Sequence, residues 1–248
     1  MKITVITAVY NRHQTVCQAL DSVLSQSYPA VESIVIDGAS TDGTLAVLEP
    51  YRSRLGILIS ESDQGIYDAL NKGIKHATGE VVGFLHADDV FENSEVLSKV
   101  AVAFEDPTID AVYGDLVYVR YDDIGQVIRY WKSGLYDDAA LARGWMPPHP
   151  TFYVRRSVYE RLGGFDTRYR IAADYDTVLR FLAVGKIRAA YIPEVLVRMR
   201  AGGISNRSLK TIVRKSLEDM GVLRRNKVGG FGTLACKNFS KLGQFWKR

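Results

Sequence analysis

Cysteine is nearly absent from this chain, with only Cys17 and Cys236 among 248 residues. Two thiols so far apart cannot build a disulfide framework or a thiolate metal cage, which fits a reducing compartment. Long apolar runs are missing too. No stretch of 18 apolar residues occurs, so no membrane-spanning helix is expected, and the opening "MKITVITAVYNR" lacks the basic region of a signal peptide. No GxGxxG follows the first apolar run and no GxxxxGK[ST] occurs anywhere, which argues against a dinucleotide-dependent oxidoreductase and a P-loop NTPase. A cytoplasmic protein is expected.

Acidic residues are scarce at one end. From Ser205 onward 11 Lys and Arg face only Glu218 and Asp219, so this segment carries +9 of a whole-chain +4 and residues 1–204 carry −5. Leu209, Ile212, Val213, Leu217, Val222, Leu223, Phe231, Phe239, Leu242, Phe245 and Trp246 are interspersed among these charges. Such a tail reads either as an amphipathic surface for anionic lipid or as a solvated helix packed on the domain by its apolar face. It contains no nucleic-acid-binding module, and no nucleic acid partner is expected.

Strand and helix signals alternate through the first half. "ITVITAV" (3–9), "VESIVID" (31–37), "GILIS" and "EVVGFLHA" are β-branched or apolar runs that predict strands. Between them, "HQTVCQALDSVLSQ" sets Val16, Leu20, Val23 and Leu24 at helical spacing, a second helix carries Leu45 and Leu48 with Thr41 or Asp42 as its cap, and "GIYDALNKGIKHAT" and "SEVLSKVAVAFED" read as helices. A βαβ series predicts an α/β fold, a mostly parallel sheet flanked by helices, with ligands outside the carboxyl ends of the strands. Asp37, Asp63 and Asp88 should emerge there. After residue 109 come an antiparallel hairpin ("IDAVYGDLVYVR", "GQVIRYWKS"), a proline-rich loop "WMPPHPTFYVRR", helices at 156–163 and 173–184, and a last strand "AAYIPEVLVRMR".

Within "VVGFLHADDVFE" (81–92), Asp88 and Asp89 stand side by side where an apolar strand leaves the core. The pair repels, and partial desolvation adds to the cost unless a cation or hydrogen-bond donors compensate. One reading is a cap for the helix that follows. The other is Mg²⁺ or Mn²⁺, held by one or two carboxylates and by phosphate oxygens of a substrate.

With its neighbours this motif resembles family 2 glycosyltransferases, in the group that builds bacterial surface polysaccharides. "TAVYN", "DGASTDGT" (37–44), "ESDQGIYDALNKGIKHATGEVVGFLHADD" (61–89), "HPTFYVRRSVYERLGGFD", "IAADYDTVLR" and "GGISN" stand in the family's order across roughly residues 1–206. The resemblance implies a glycosyltransferase-A (Rossmann-like) fold and inverting transfer of a sugar from a nucleotide-diphospho-sugar to a glycan or polyprenyl-linked glycan acceptor. It implies Mn²⁺ or Mg²⁺ as cofactor. It assigns Thr7, Ala8, Tyr10 and Asp37 to the base and ribose, Asp63, Gly65, Asp68, Asn71 and Lys72 to the nucleotide pocket, Asp88 to the metal with Asp89 beside it, and Asp174 to the catalytic base. His86 and Ala87 complete the acidic motif on the substrate side. His86 stands where many relatives carry Asp, Ala173 where they carry Glu and Leu70 where they carry Arg.

Other residues rest on their own chemistry. Asp174 opens an apolar-periodic helix, where it is either a cap or an ionised base. His149 in "PPHPTF" is a turn residue or an acceptor contact. Arg200, with Arg198 and the glycines of "GGISN", could close over a diphosphate. Trp131 and Trp145 are packing residues or sugar-stacking rings.

Rival readings are weaker. "DYDTV" (174–178) matches a phosphotransferase signature whose Asp should end a buried strand, and a nucleotidyltransferase should show a glycine-rich basic loop where "TAVYNRHQT" stands. A silent sugar-nucleotide-binding or scaffold protein is the alternative from another class, and retention of Asp88 and Asp174 argues against it. The chain is expected to comprise a catalytic domain at 1–206, with a nucleotide-binding half (1–115) and an acceptor-side half (116–206), and a basic tail at 207–248. That tail would place the protein peripherally on the inner membrane face.

Overall fold

A computed structural model describes residues 1–202 and 209–240. Residues 203–206 of "GGISN" and the tail residues Leu242, Phe245 and Trp246 lie outside the described residues.

The first half alternates strictly: β1 (Ile3–Val9), α1 (Val16–Leu24), β2 (Val31–Asp37), α2 (Thr44–Leu48), β3 (Ile57–Ser60), α3 (Ile66–His76) and β4 (Val81–Phe84). Strand β1 is buried along its whole length. Burial on both faces explains why it reads as a continuous apolar run rather than an alternating one. Its parallel register with β2 pairs Val9 with Asp37, and that of β2 with β3 pairs Asp37 with Ser60. Three strands therefore end in one row, and Tyr10, Gly38 and Glu61 begin the loops along one edge.

The helices follow from their apolar spacing. Val16, Ala19, Leu20 and Val23 are the buried residues of α1, one stripe at i, i+3, i+4 and i+7. On α3 the buried stripe is Ala69, Leu70 and Gly73, and a Cβ on Gly73 would meet Ile6 Cγ2 at 2.4 Å, so only glycine lets this helix lie so close to β1. Leu70 therefore belongs to the core. Helix α2 begins after Gly43, at φ 91°, and Asp42 Oδ1 accepts from Thr44 N–H at 3.0 Å, so the expected acid caps it from one position further out.

The second half is mixed. It contains β5 (Val90–Phe91), α4 (Val96–Ala103), β6 (Ala111–Val119), β7 (Val127–Trp131), α5 (Asp138–Ala142), β8 (Tyr153–Arg155), α6 (Arg156–Leu162), α7 (Ala173–Leu179), which runs into a wide π-type turn, β9 (Ala189–Arg200), α8 (Leu209–Arg225) and α9 (Phe231–Ser240). The sheet order is β3-β2-β1-β4-β8-β6-β9-β5, with β7 paired to β6 as the predicted hairpin. Strand β8 runs antiparallel to both β4 and β6, and β9 runs parallel to β6. The short β5 closes the far edge against β9, pairing Val90 with Arg198.

The tail helices join the core. Val222, Leu223 and Leu234 are buried in the same cluster as Phe84, Tyr175 and Phe181, while Ile212, Val213, Leu217 and Phe231 remain exposed. No helix among the described residues is long and apolar enough to cross a membrane.

Gly83 on β4 tests this packing. A Cβ there would lie 2.2 Å from Tyr153 Cε1 on β8. Gly83→Ala should destabilise the protein by about 1–3 kcal/mol in urea unfolding, the usual range for overpacking, whereas Val127→Thr on the exposed β7 should stay within about 0.5 kcal/mol.

Candidate active site

The loops after β1, β2 and β3 form the first part of the site. Asn11 sits in the left-handed region at φ 52°, which a short polar side chain tolerates. Its Oδ1 accepts from Thr41 N–H at 2.9 Å and its N–H donates to Ser40 Oγ at 2.8 Å, so it ties the two loops together and leaves Tyr10 59% exposed. A Cβ on Gly38 would lie 2.4 Å from Asp63 Oδ2 and 3.4 Å from Tyr10 Cδ2. Tyr10, Gly38 and Asp63 thus lie close together where these loops meet.

Several expected pocket residues are committed elsewhere. Asp37 is fully buried and accepts from Ser40 N–H (3.0 Å) and Ser60 O–H (2.7 Å), so its carboxylate ties β2 to β3 and is not open to a ribose. Thr7 and Ala8 are buried in β1, and Thr7 Oγ1 has no partner among the described residues. Asn71 does not line the pocket. Its Nδ2 donates to Phe165 O and its Oδ1 accepts from Phe165 N–H, both at 2.8 Å, which bolts α3 to the loop before α7. Asp63 Oδ1 accepts from Gly65 N–H at 2.8 Å, and Gly65, at φ 117°, starts α3. Lys72 Nζ pairs with Glu61 (2.8 Å), Ser62 O (2.9 Å) and, more loosely, Asp68 (3.7 Å), while Asp68 accepts from Gln64 N–H.

The acidic motif forms a turn closed by Asp89 N–H on His86 O at 3.0 Å. Asn93 Oδ1, not either aspartate, accepts from Glu95 N–H ahead of α4. The cap reading of Asp88 and Asp89 therefore falls away. Asp88 keeps 24% of its side chain exposed, with Arg12 Nε 3.7 Å from its Oδ2. Asp89 is 1% exposed and faces β9, where Oδ1 accepts from Arg200 N–H at 3.1 Å. Burial, then the charge of Asp88, pushes the Asp89 carboxyl well above the usual range. This corrects the expectation of two metal-binding carboxylates, because only Asp88 is open to a ligand.

Arg200 is corrected as well. Its buried guanidinium donates to Tyr121 O at 3.0 Å, to Asp88 O and to Gln18 Oε1, so it clamps the turn to α1 and β6 instead of reaching a diphosphate. Ala87 packs with Val9, Val16 and Leu20 and offers no side-chain contact to substrate.

Asp174 reaches the same region from the start of α7. Its Oδ1 accepts from Tyr175 N–H (2.8 Å) and Tyr67 O–H (3.3 Å), and the Tyr67 hydroxyl also donates to Ile171 O at 2.7 Å. The half-buried His86 lies in the field of both Asp88 and Asp174; burial lowers its pKa while the two acids oppose that shift. His149 is 5.7 Å from the His86 ring and stacks on Phe84 at 5.1 Å. Burial, then the neighbouring His86, brings His149 down to about 3, so it is neutral near pH 7. His86 Nδ1 and His149 Nε2 both lack partners among the described residues.

These residues fit a hard divalent cation in a specific way. Among the described residues no three His, Cys, Asp or Glu are grouped as a metal cage. One accessible carboxylate, Asp88, beside an unpartnered imidazole nitrogen suits a cation that draws its remaining oxygen ligands from phosphates.

Three residues escaped the sequence reading: Arg12 beside Asp88, Tyr67 on Asp174, and Glu218 behind α7. Tyr67 lies inside the "GIYDALNKG" stretch, and Glu218 is one of only two acids in a basic tail. Those were the available signals.

The fold is shared with solved glycosyltransferases of the A type. A 1–349 fragment of S. aureus TarS in complex with UDP-GlcNAc aligns with TM-score 0.71 and 20% identity over 92% of this chain, which spans just under two thirds, 66%, of that one. Mannosyltransferase PcManGT from Pyrobaculum calidifontis, in complex with GDP-Man and Mn²⁺, aligns with TM-score 0.68 and 23% identity over 99% of this chain and 71% of that one. In sequence, the chain is 32% identical over 201 residues to a PGL/p-HBAD biosynthesis glycosyltransferase of Mycobacterium tuberculosis, covering 79% of this chain and 74% of that protein. It is 30% identical over 206 residues to the glycosyltransferase EpsE of Bacillus subtilis, covering 80% and 73%. The profile described as Glycosyl transferase family 2 matches residues 4–171. The chain belongs to that family, and it is an enzyme that transfers glycosyl groups.

His149 makes acid stability a test of the site. Its folded-state pKa of about 3 lies below the ordinary 6.5, so the unfolded chain takes up the proton first. The stabilisation is complete above about pH 6.5 and is lost as pH falls through the window down to about 3. Between pH 7.5 and 5.5 this residue alone should remove about 1.4 kcal/mol of stability. Urea unfolding of wild type and His149→Phe at both pH values measures that difference, which should vanish in the variant.

Proposed function

We propose that the enzyme moves a sugar from a nucleotide-diphospho-sugar to a hydroxyl of a glycan or lipid-linked glycan during cell-surface polysaccharide biosynthesis, in one inverting displacement. The observation that carries this reading is that Asp88, on the turn after β4, and Asp174, at the start of α7, both act electrostatically on the half-buried His86 between those elements. The nucleotide-sugar complexes of TarS and PcManGT and the biosynthetic role in the name of the mycobacterial relative support it.

The loops that carry Tyr10, Gly38 and Asp63 receive the nucleoside, with the exposed Tyr10 ring available to the base. Asp88 would hold Mn²⁺ or Mg²⁺, which when bound supplies charge neutralisation for the departing nucleoside diphosphate. Asp174 Oδ1 is held by Tyr67 and by the Tyr175 N–H, and Oδ2 takes the proton of the acceptor hydroxyl as that oxygen attacks the anomeric carbon. The new C–O bond forms as the bond from the sugar to the diphosphate breaks, and the proton ends on Asp174. His86, kept neutral by burial, offers an imidazole to the donor between these two acids. His149, stacked on Phe84, forms the dry wall behind it. No glycosyl group becomes attached to a side chain, and trapping such an adduct would overturn the single displacement.

Calorimetry with UDP, GDP, TDP and CDP, in Mn²⁺ and in EDTA, tests the donor site. Metal-dependent binding of one nucleotide is expected, and Asp88→Ala should abolish it. Asp174→Asn should keep that binding and lose turnover by about 10²–10⁴-fold, the usual contribution of a positioned base. Near-normal turnover in Asp174→Asn would move the base elsewhere.

The tail carries the proposed membrane contact at the cytoplasmic face. Ile212, Val213, Leu217 and Phe231 are exposed beside the exposed Arg214 and Arg224. The double variant Val213→Glu, Leu217→Glu should lower co-sedimentation with anionic vesicles at low salt; unchanged co-sedimentation would leave these helices a packing role alone.

A further inference from the structure

The family profile ends at residue 171, three residues before Asp174. Helices α8 and α9 lie beyond it, yet their polar side chains converge on α7. Ala172, the N-cap of α7, has no side-chain oxygen to receive the backbone N–H groups there. Glu218 from α8 takes the two N–H groups that lead into the helix: one carboxylate oxygen accepts from Ile171 N–H at 2.8 Å and from Ala172 N–H at 3.0 Å. Asn226 Nδ2 donates to the fully buried Asp176 at 3.0 Å. Lys237 from α9 pairs with the buried Asp219 at 2.8 Å and lies 3.1 Å from the centroid of the Tyr175 ring. The residues on both sides of Asp174 are thus held from the tail.

The chemistry of a helix start explains what this does. A free N–H at the N-cap is a donor within reach of the helix's first-turn acids; in a capping box the acid at the third helical position folds back on it. Asp174 is a first-turn acid of α7. Its Oδ1 already accepts from Tyr175 N–H in that turn; with the Ala172 N–H unoccupied, Oδ2 would be the acceptor drawn back to it and away from the acceptor hydroxyl. Glu218 occupies that donor from outside.

We propose that Glu218 is a positioning residue for the base: it satisfies the N–H groups at 171 and 172 so that Asp174 keeps a free oxygen aimed at the substrate side. The inference rests on the reading of Asp174 as the base. It assigns the helical extension a part in catalysis in addition to packing.

The full-length enzyme tests it through turnover, KM, nucleotide affinity and thermal melting of Glu218 variants. Glu218→Ala removes both acceptor bonds and should lower kcat about tenfold or more while the UDP or GDP Kd stays within about twofold. Glu218→Gln keeps one carbonyl acceptor and should recover most of that loss. If the alanine variant does not fold, Glu218→Asp, one methylene too short to reach both N–H groups, takes its place against Glu218→Gln. In the Asp174→Asn background the Glu218 substitution should cost nothing further, because it acts through the missing carboxylate. Unchanged kcat in Glu218→Ala, an additive loss in the double variant, or an equal loss of nucleotide affinity would overturn the proposal. Failure of the base assignment shows separately, as retained turnover in Asp174→Asn alone.

Discussion

Two carboxylates of like charge, Asp88 at the end of the central parallel strands and Asp174 at the start of a helix 86 positions later, lie in the field of one half-buried imidazole, His86. Like charges in a partly dry pocket repel, so this arrangement persists only where the surroundings hold each acid separately. Asp88 is held through its own backbone: Arg200 grips its carbonyl, and β9 receives the neighbouring Asp89. Asp174 is held through Tyr67 in front and the capped backbone behind. Asp89 and Arg200, which looked like ligand contacts in the sequence, are among these fastenings.

That distinction marks what the sequence could disclose. Strands β1 and β4 were legible because burial on both faces leaves runs of apolar and β-branched residues, β2 from its Ile34–Ile36 centre, and α1 because its stripe has helical spacing. Asp88 and Asp174 were singled out by the ordered motifs around them, and their roles stay proposals. The fates of Asp37, Asn71, Asp89 and Arg200 were not legible. An aspartate at a strand end serves a ribose or two local hydroxyls equally well, and only the distances to Ser40 and Ser60 decide between them. Strand β8 was equally silent: three residues in a proline-rich stretch carry no period, and their antiparallel course is set by β4 and β6 on either side. The tail admitted two readings because it has apolar residues enough for both, some buried and some exposed. Val222 and Leu223 enter the core while Val213 and Leu217 stay outside.

The replacements in the family pattern also acquire physical reasons. Leu70 sits under α3 against the sheet, where an arginine would have to bury its charge or unseat the helix. His86 brings an uncharged ring to a place already flanked by two acids, where a further carboxylate would add a third negative charge. Its partner His149 is pressed between Phe84 and Phe165, and the same aromatic stack that keeps it neutral continues through Tyr159 to Phe181 beneath α7.

The pairing of β9 between β6 and β5 has a consequence for how the enzyme comes into being. As the chain leaves the ribosome, β1 to β4 can assemble from near neighbours in sequence, and the loops proposed to receive the nucleotide with them. The turn that carries Asp88 cannot be completed then, because Arg200 is more than a hundred residues away and α8 further still. A half-made chain therefore holds its donor pocket early and its chemistry last, and an enzyme that handles activated sugars gains its reactivity only when nearly all of it has been synthesised.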